Sequence, residues 1–275
     1  MLPFLLTTAI ILALLVFIFA FLVAPGTCSE EKRAPFLHQN IAHRGLHTKD
    51  KKIPENSIAA FSNAVKNGYG IELDIQLTKD DKIVVFHDDT LDRVCNLPGA
   101  ISSYTYEELC DFRLCGTDQK IPLFTEALRV IDGKVPVVVE FKNGSKNKLL
   151  CERALPILRS YQGDFCIESF QPYIVSWFRK NAPDILRGQL SAGMEELKQL
   201  GFFKAFCLSN VLTNVTSRPH FIAYEKDKKT ILVRLSEKMG AMKAVWTIRD
   251  TDKKHYYEMR NDMVIFEHYR PKIKY

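Results

Sequence analysis

The chain has 275 residues, 47% hydrophobic and 25% charged, a balance that excludes a disordered chain and suits one large domain. Its formal net charge of +6 arises from 38 basic and 32 acidic residues. The basic residues are scattered rather than gathered in patches, which argues against nucleic acid as a partner.

The first element in chain order is the uncharged, almost wholly apolar run from Leu2 to Ala24. A helix needs ~20 such residues to cross a bilayer. A secretory signal would normally show a basic start, a shorter apolar core and a small-x-small cleavage site. Nothing basic precedes this run, and the run is long, so residues 1–24 read as an uncleaved single-pass transmembrane anchor. The segment Pro25-Gly26-Thr27-Cys28 fits a lipoprotein cleavage site poorly. Residues 25–36 read as a polar linker, and residues 37–275 as the folded domain. Lys32 and Arg33 follow the span while no charged side chain precedes it, which favours a cytoplasmic domain on a membrane-bound protein. Seven cysteines, an odd number without a C-x-x-C pair, suggest free thiols in a reducing compartment. No second run of ~20 apolar residues follows, as a transporter would require.

Beyond the linker, strand-like and helix-like stretches alternate. Candidate strands are residues 40–43, 71–77, 83–87, 135–141, 165–169, 186–190, 221–224, 243–248 and 263–267. Asn56 or Ser57 can cap the helix predicted over "SIAAFSNAVKNG", and Gly68 supplies its left-handed stop. Thr105 with Glu108 reads as a capping box. "KNKLLCERALPILRSY" and "KKTILVRLSEKMG" carry the helical apolar period.

Such alternation implies a mainly parallel sheet. The second and third strands are joined only by "TKDDK", too short for a parallel crossover, so they must form an antiparallel hairpin. Setting aside its second arm leaves eight strands, the number that closes a (β/α)8 TIM barrel. An open doubly wound sheet is the alternative, but no Gly-rich loop follows the first strand.

In a barrel of this kind the site lies at the C-terminal ends of the strands. Those ends carry His43-Arg44-Gly45, then Glu72 and Asp74 on one face, then His87-Asp88, then Glu140 and Lys142 on one face. Trp246 lies in a late strand. Glu72, Asp74 and Glu140 offer an oxygen-rich site to one hard divalent cation, Mg²⁺ or Ca²⁺. Two histidines beside a metal suit general acid–base work. Arg44 and Lys142 supply charge for a phosphate, and the whole set describes phosphodiester cleavage. Blander readings stand beside this one. Glu72 and Asp74 would also suit the wet face of an edge hairpin, a lone histidine is more often structural, and Trp246 more often core. His38, His47, His220, His255 and His268 read as surface or structural.

The stretches "IAHRGLH" and "IPENSIAAFSNAVKNGYGIELDIQLTKDDKIVVFHDDTLDRVC", followed in order by "IPLFTEAL", "VPVVVEFK" and "AVWTIRD", resemble the glycerophosphodiester phosphodiesterase family from about Gln39 to Ile265. The resemblance implies a distorted (β/α)8 barrel that uses a divalent metal to hydrolyse glycerophosphodiesters to glycerol 3-phosphate and an alcohol. It implies a catalytic pair at His43 and His87, and metal ligands at Glu72, Asp74 and Glu140. Arg44 and Lys142 match groups near the phosphate, and Trp246 a position beside the glycerol end. Glu55 and Asn56 match a "PEN" motif expected to support the site from behind. This chain departs where the family commonly places Thr-Asp after its last strand; it reads Phe266-Glu267, with Glu267 the candidate replacement for the acid. Two rival functions remain open, lysophospholipase D-type cleavage of lysophospholipids and a catalytically silent, membrane-tethered binding module. Headgroup preference and oligomeric state have no signal in the sequence.

Overall fold

The computed structural model describes residues 1–226 and 229–275. Lys228, the first residue of the helical stretch predicted over 228–240, lies outside the described residues. Among the described residues, nine strands form one sheet: β1 (Gln39–Ala42), β2 (Gly70–Leu77), β3 (Ile83–Val85), β4 (Val137–Phe141), β5 (Phe165–Ser169), β6 (Arg187–Ser191), β7 (Phe221–Glu225), β8 (Met242–Ile248) and β9 (Met263–Phe266). Eight of them pair in parallel in the order β1-β9-β8-β7-β6-β5-β4-β2, and β1 pairs back to β2 to close the barrel. The barrel predicted from the alternation is therefore the observed fold. Each strand end falls within about two residues of the sequence expectation, the usual uncertainty of element boundaries.

The distortion has a local cause. β1 spans only four residues and reaches just Gly70 and Ile71 of β2. Further along, the vacant edge of β2 is taken by β3, antiparallel, with Ile75 opposite Val85 and Leu77 opposite Ile83. β3 ends at Val85, earlier than expected, and the amide of Phe86 donates to the Asp74 carbonyl at 3.0 Å. The chain then leaves the barrel as an insert with its own small core, including Phe86, Leu91, Ile101 and Leu109. Inside it, Thr105 and Glu108 form the predicted capping box.

The N-terminal helix α1 (Leu2–Val23) is followed by helices around the barrel: α2 (Ile58–Lys66), α3 (Phe124–Ile131), α4 (Asn147–Ser160), α5 (Pro172–Asn181), α6 (Phe202–Ser209), α7 (Asn214–Ser217), α8 (Ile231–Lys238) and α9 (Lys254–Glu258). Ser57, rather than Asn56, caps α2 by accepting the amide of Ala60. Along β2 the alternation of side chains sends Ile71, Leu73 and Ile75 outward into the layer holding Phe61 and Phe124, and Glu72 and Asp74 inward. The lower lumen is apolar, filled by Ile41, Val138, Phe221 and Met242, with Phe36 plugging it from below. Gly188 makes room there, because a Cβ would lie 2.1 Å from the Phe221 ring.

Segment 25–36 lies along the same lower end. The amide of Gly26 donates to the Pro219 carbonyl, and Arg218 donates to the carbonyls of Phe21 and Ala24. Val23 is buried against Val211, Ile222 and Val233. From Pro3 to Phe19 α1 is exposed, and Pro3–Val23 is long and apolar enough to cross a membrane. All seven cysteines are unpaired.

Candidate active site

The site is built on one backbone irregularity at the end of β1. Arg44 and Gly45 have positive φ, +55° and +77°, which turns the chain sharply over the barrel rim. A side chain at Gly45 would meet the Ala60 Cβ at 2.9 Å, so only glycine fits beneath α2. The turn aims the Arg44 amide at Glu72, whose Oε2 accepts it at 2.8 Å. It also leaves the Arg44 carbonyl to accept the amide of Asn56, another left-handed residue with φ +52°. Asn56 in turn donates from Nδ2 to Asp74 Oδ2 at 2.8 Å.

Glu72 and Asp74 from β2 meet Glu140 from β4, whose register places Asp74 directly opposite Glu140. Carboxylate oxygens of the three lie within 4.8 Å of one another. Burial first, and then the charges of Asp74, Glu140 and Glu168, push Glu72 well above the usual carboxylate range. Burial likewise raises Glu140. Asp74 stays below its ordinary range: burial opposes ionisation, but Lys142, His87 and Arg44 outweigh it. Lys142, just past β4, lies 2.9 Å from Glu140 Oε1 and 3.4 Å from Asp74 Oδ1. Arg44 pairs with Glu55 at 2.7 Å.

The two histidines flank this cluster. His43 Nε2 stands 4.0 Å from Glu72 Oε2, while Nδ1 is 2.9 Å from Glu267 Oε2. Burial lowers His43 to about 4, although Glu267 pulls the other way. His87 holds Asp88 Oδ1 through Nδ1 at 2.7 Å. Asp88 is gripped in turn by Arg93, which also forks onto Glu55 at 2.7 and 2.8 Å. The insert that carries Arg93 thereby fixes both His87 and the Glu55–Arg44 pair. Glu55 is held at about 2: burial opposes this, and Arg93 and Arg44 overcome it.

A cavity of about 180 Å³ opens among His43, Arg44, Glu72, His87 and Glu140. Its far wall is apolar, with the Trp246 ring edge-on to Phe170 at 5.6 Å and the Trp246 indole N–H donating to the Ala223 carbonyl. All ten residues singled out in the sequence thus converge on one end of the barrel.

Sequence reasoning passed over Glu168, which is buried in the same cavity one strand along, opposite Glu140 in the register. Its Oε2 accepts no hydrogen bond, and burial raises it well above the ordinary range. The signal available was "IES" at the end of a strand, a third acidic strand end. His47 and His268 also stand closer to the chemistry than a surface role suggests. Each has Nε2 3.8 Å from Glu267, and their rings meet edge-on at 4.8 Å. The structural reading holds for His220, buried beneath the barrel beside Arg187, and the surface reading for His255.

Comparison with known proteins gives consistent matches. The chain is 36% identical over 161 residues to the glycerophosphodiester phosphodiesterase of Caldanaerobacter subterraneus subsp. tengcongensis. That match covers 54% of this chain and 65% of the relative, just under two thirds of its length. It is 32% identical over 156 residues to the human lysophospholipase D GDPD1, covering 52% of this chain and 48% of that protein. In fold it resembles an Oleispira antarctica phosphodiesterase solved with the product sn-glycerol-3-phosphate, with a TM-score of 0.70 and 23% identity. That likeness covers 88% of this chain and 97% of the other. A profile of the glycerophosphoryl diester phosphodiesterase family matches residues 43–269, from the first histidine of the site past Glu267. The stretch between those ends contains every strand of the barrel except β1, and by this match the chain belongs to the glycerophosphoryl diester phosphodiesterase family.

Proposed function

We propose that this chain hydrolyses glycerophosphodiesters to glycerol 3-phosphate and an alcohol, with Glu72, Asp74 and Glu140 holding one divalent cation. The observation that carries the reading is the arrangement around these carboxylates. Two imidazoles stand beside them, and each is tied through Nδ1 to a further carboxylate.

The donor set fits a hard cation. Three buried carboxylates crowd together, and Asp74 Oδ1 accepts no hydrogen bond although it is buried. Oxygen-only ligands suit Mg²⁺ or Ca²⁺. Such an ion would supply positive charge against a phosphate oxygen as negative charge builds up there. The protein's own groups do the rest. Arg44 and Lys142 face the remaining oxygens. Glu267 holds a proton on His43 Nδ1, which leaves the Nε2 lone pair pointing into the cavity. Burial lowers the pKa of His43 and keeps its Nε2 unprotonated at neutral pH, free to take the proton of the attacking group, either water or the neighbouring glycerol hydroxyl. In the second case water then opens the resulting cyclic phosphate to glycerol 3-phosphate. His87, backed by the Asp88 carboxylate, gives its proton to the departing alcohol oxygen. Trp246 and Phe170 form the wall for the carbon skeleton of the glycerol end. Glu55 and Asn56 act from behind, through Arg44 and Asp74.

A second reading, lysophospholipase D-type cleavage, is favoured by the apolar helix α1 together with the similarity to the human lysophospholipase D. On both readings α1 anchors the chain in a membrane as a single span. Lys32 and Arg33 support a cytoplasmic domain, with residues 25–36 joining the anchor to the enzyme at residues 37–275.

The test is a panel of glycerophosphocholine, glycerophosphoethanolamine and lysophosphatidylcholine, assayed with and without chelator on the wild type, His43→Ala and His87→Ala. Metal-dependent release of glycerol 3-phosphate, lost in both variants, supports the main reading. Preference for the lysolipid supports the second. Near-wild-type hydrolysis by either variant overturns the catalytic assignment, and no hydrolysis of any substrate leaves the binding-module alternative.

A further inference from the structure

Helix α6 has a face with no covering inside the molecule. Phe202 is 78% exposed, Phe203 75% and Phe206 40%, and the rings of Phe202 and Phe206 stack at 6.3 Å. Three phenylalanines on one turn of a helix are costly to leave in water, since each carries a large apolar area. The helix is amphipathic in the opposite sense to a purely solvent-facing one. Ala205 and Leu208 point inward, and the sole charged residue on it, Lys204, is exposed.

Two relationships say what covers this face. First, α6 runs on into Val211 and Leu212, which pack against Val23 at the end of the apolar helix α1. The helix of phenylalanines and the end of α1, the one candidate span among the described residues, thus share a flank of the barrel, α1 leaving it from the lower end. Second, α6 follows β6, so it stands on the rim that carries the site. Its inner residues Ala205 and Leu208 pack on Phe170 and Trp246, the apolar wall of the catalytic cavity.

We propose that α6 docks on a phospholipid bilayer, with Phe202, Phe203 and Phe206 inserted into the leaflet surface beside α1. Aromatic rings backed by lysine are the composition of an interfacial helix, and such helices bury their apolar face ≈ 5–10 Å into the headgroup–acyl boundary. With α6 seated there, only one layer of side chains separates lipid from the Trp246 wall. The mouth of the site then draws its substrate from the membrane surface, which favours a lysophospholipid over a freely dissolved diester. The inference rests on the reading of α1 as a membrane anchor.

The experiment uses the full chain reconstituted in vesicles of phosphatidylcholine and phosphatidylglycerol with brominated acyl chains. Single tryptophans replace Phe17 on α1 (F17W), Phe203 on α6 (F203W) and Ile273 beside β1, across the barrel from α6 (I273W), each compared with wild type. Bromolipid quenching of added fluorescence at both Phe17→Trp and Phe203→Trp, but not at Ile273→Trp, is the expected result. Quenching at Phe17→Trp without quenching at Phe203→Trp overturns the docking of α6 while the anchor stands. Absence of quenching at both overturns the anchor as well. In a second arm, F202S/F203S/F206S should lower turnover of vesicle-borne lysophosphatidylcholine about tenfold, and leave soluble glycerophosphocholine hydrolysis within about twofold of wild type. Equal loss on both substrates, or none on either, overturns the delivery role. A wild-type dimer that the triple variant dissolves, found in place of quenching, would give the face to a second copy and overturn the proposal.

Discussion

His43 and Glu267 are joined across the closing seam of the barrel: Nδ1 of the histidine at the end of β1 lies 2.9 Å from Oε2 of the glutamate just past β9. Arg249, after β8, holds the other carboxylate oxygen at 2.5 Å. Burial opposes the charge on Glu267, yet His43, His47 and Arg249 keep it ionised far below the usual carboxylate range. A fixed anion there selects the tautomer of His43 and, on the proposed mechanism, stabilises the imidazolium formed during turnover. Glu267→Gln keeps the size and an acceptor but removes the charge. It should lower kcat on the order of 10²-fold with little change in KM, and His43→Ala should lower it further. Steady-state kinetics on the two variants checks this, and an unchanged kcat in Glu267→Gln would remove Glu267 from the mechanism.

On the proposed metal-binding role, the carboxylate cluster trades stability against ion binding. Without a cation, Glu72 sits in a field of three other acidic groups. Glu72→Gln should therefore stabilise the chelator-treated protein by about 1 kcal/mol, while abolishing the rise in Tm that Mg²⁺ or Ca²⁺ gives the wild type. Thermal melts of both proteins with and without chelator decide it. A wild-type melt indifferent to either ion would count against the metal site.

Asn56 has two separable duties, a left-handed backbone and a hydrogen bond to Asp74. Asn56→Gly keeps the first and loses the second, so it should weaken metal affinity roughly 10–100-fold at nearly constant stability. Asn56→Val loses both, and the β-branched side chain in the left-handed region should cost about 1–2 kcal/mol besides. Metal titrations and urea unfolding of the pair separate the two effects.

Beneath the barrel, His220 is buried with its Nδ1 accepting the Arg187 amide at 3.3 Å. Burial, with Arg187, Lys32 and Arg33 adding to it, lowers its pKa from 6.5 to about 3. The folded state thus binds this proton more weakly than the unfolded chain. Its contribution to stability is fully present above pH 6.5 and is lost as pH falls through the window down to about 3. The slope is ~1.4 kcal/mol per pH unit within that window. His220→Phe should flatten the acid limb of the stability curve. Urea midpoints at pH 7, 5.5 and 4 measure it, and parallel curves for variant and wild type would refute the assignment.

The barrel was legible because its signals are local. Strand alternation, the caps at Ser57 and Thr105, and a linker too short for a crossover are each readable within a few residues. The acidic and basic groups were legible because a parallel barrel has only one end for chemistry, so strand ends could be read without knowing any angle. What escaped depends on closure. His47 and His268 become neighbours only when β9 returns beside β1, and their separation in sequence gives no hint of it. Glu168 was passed over because a lone acid among apolar residues carries no spacing signal, and its place opposite Glu140 follows from register. The packing of residues 25–36 under the barrel was hidden for a similar reason, because a polar segment looks the same whether it is free or docked.

The hairpin between β2 and β3 has a consequence for how such a protein can change over time. β3 lies outside the ring of eight strands, so the insert behind it, with a core of its own, can lengthen, shorten or be remodelled without disturbing barrel closure. Yet that insert delivers His87, Asp88 and Arg93 to the mouth of the site. Glu72, Asp74 and Glu140 are therefore bolted to the frame, while His87 and one lip of the mouth ride on a replaceable module. A lineage could reshape the mouth of the cavity by editing the module alone.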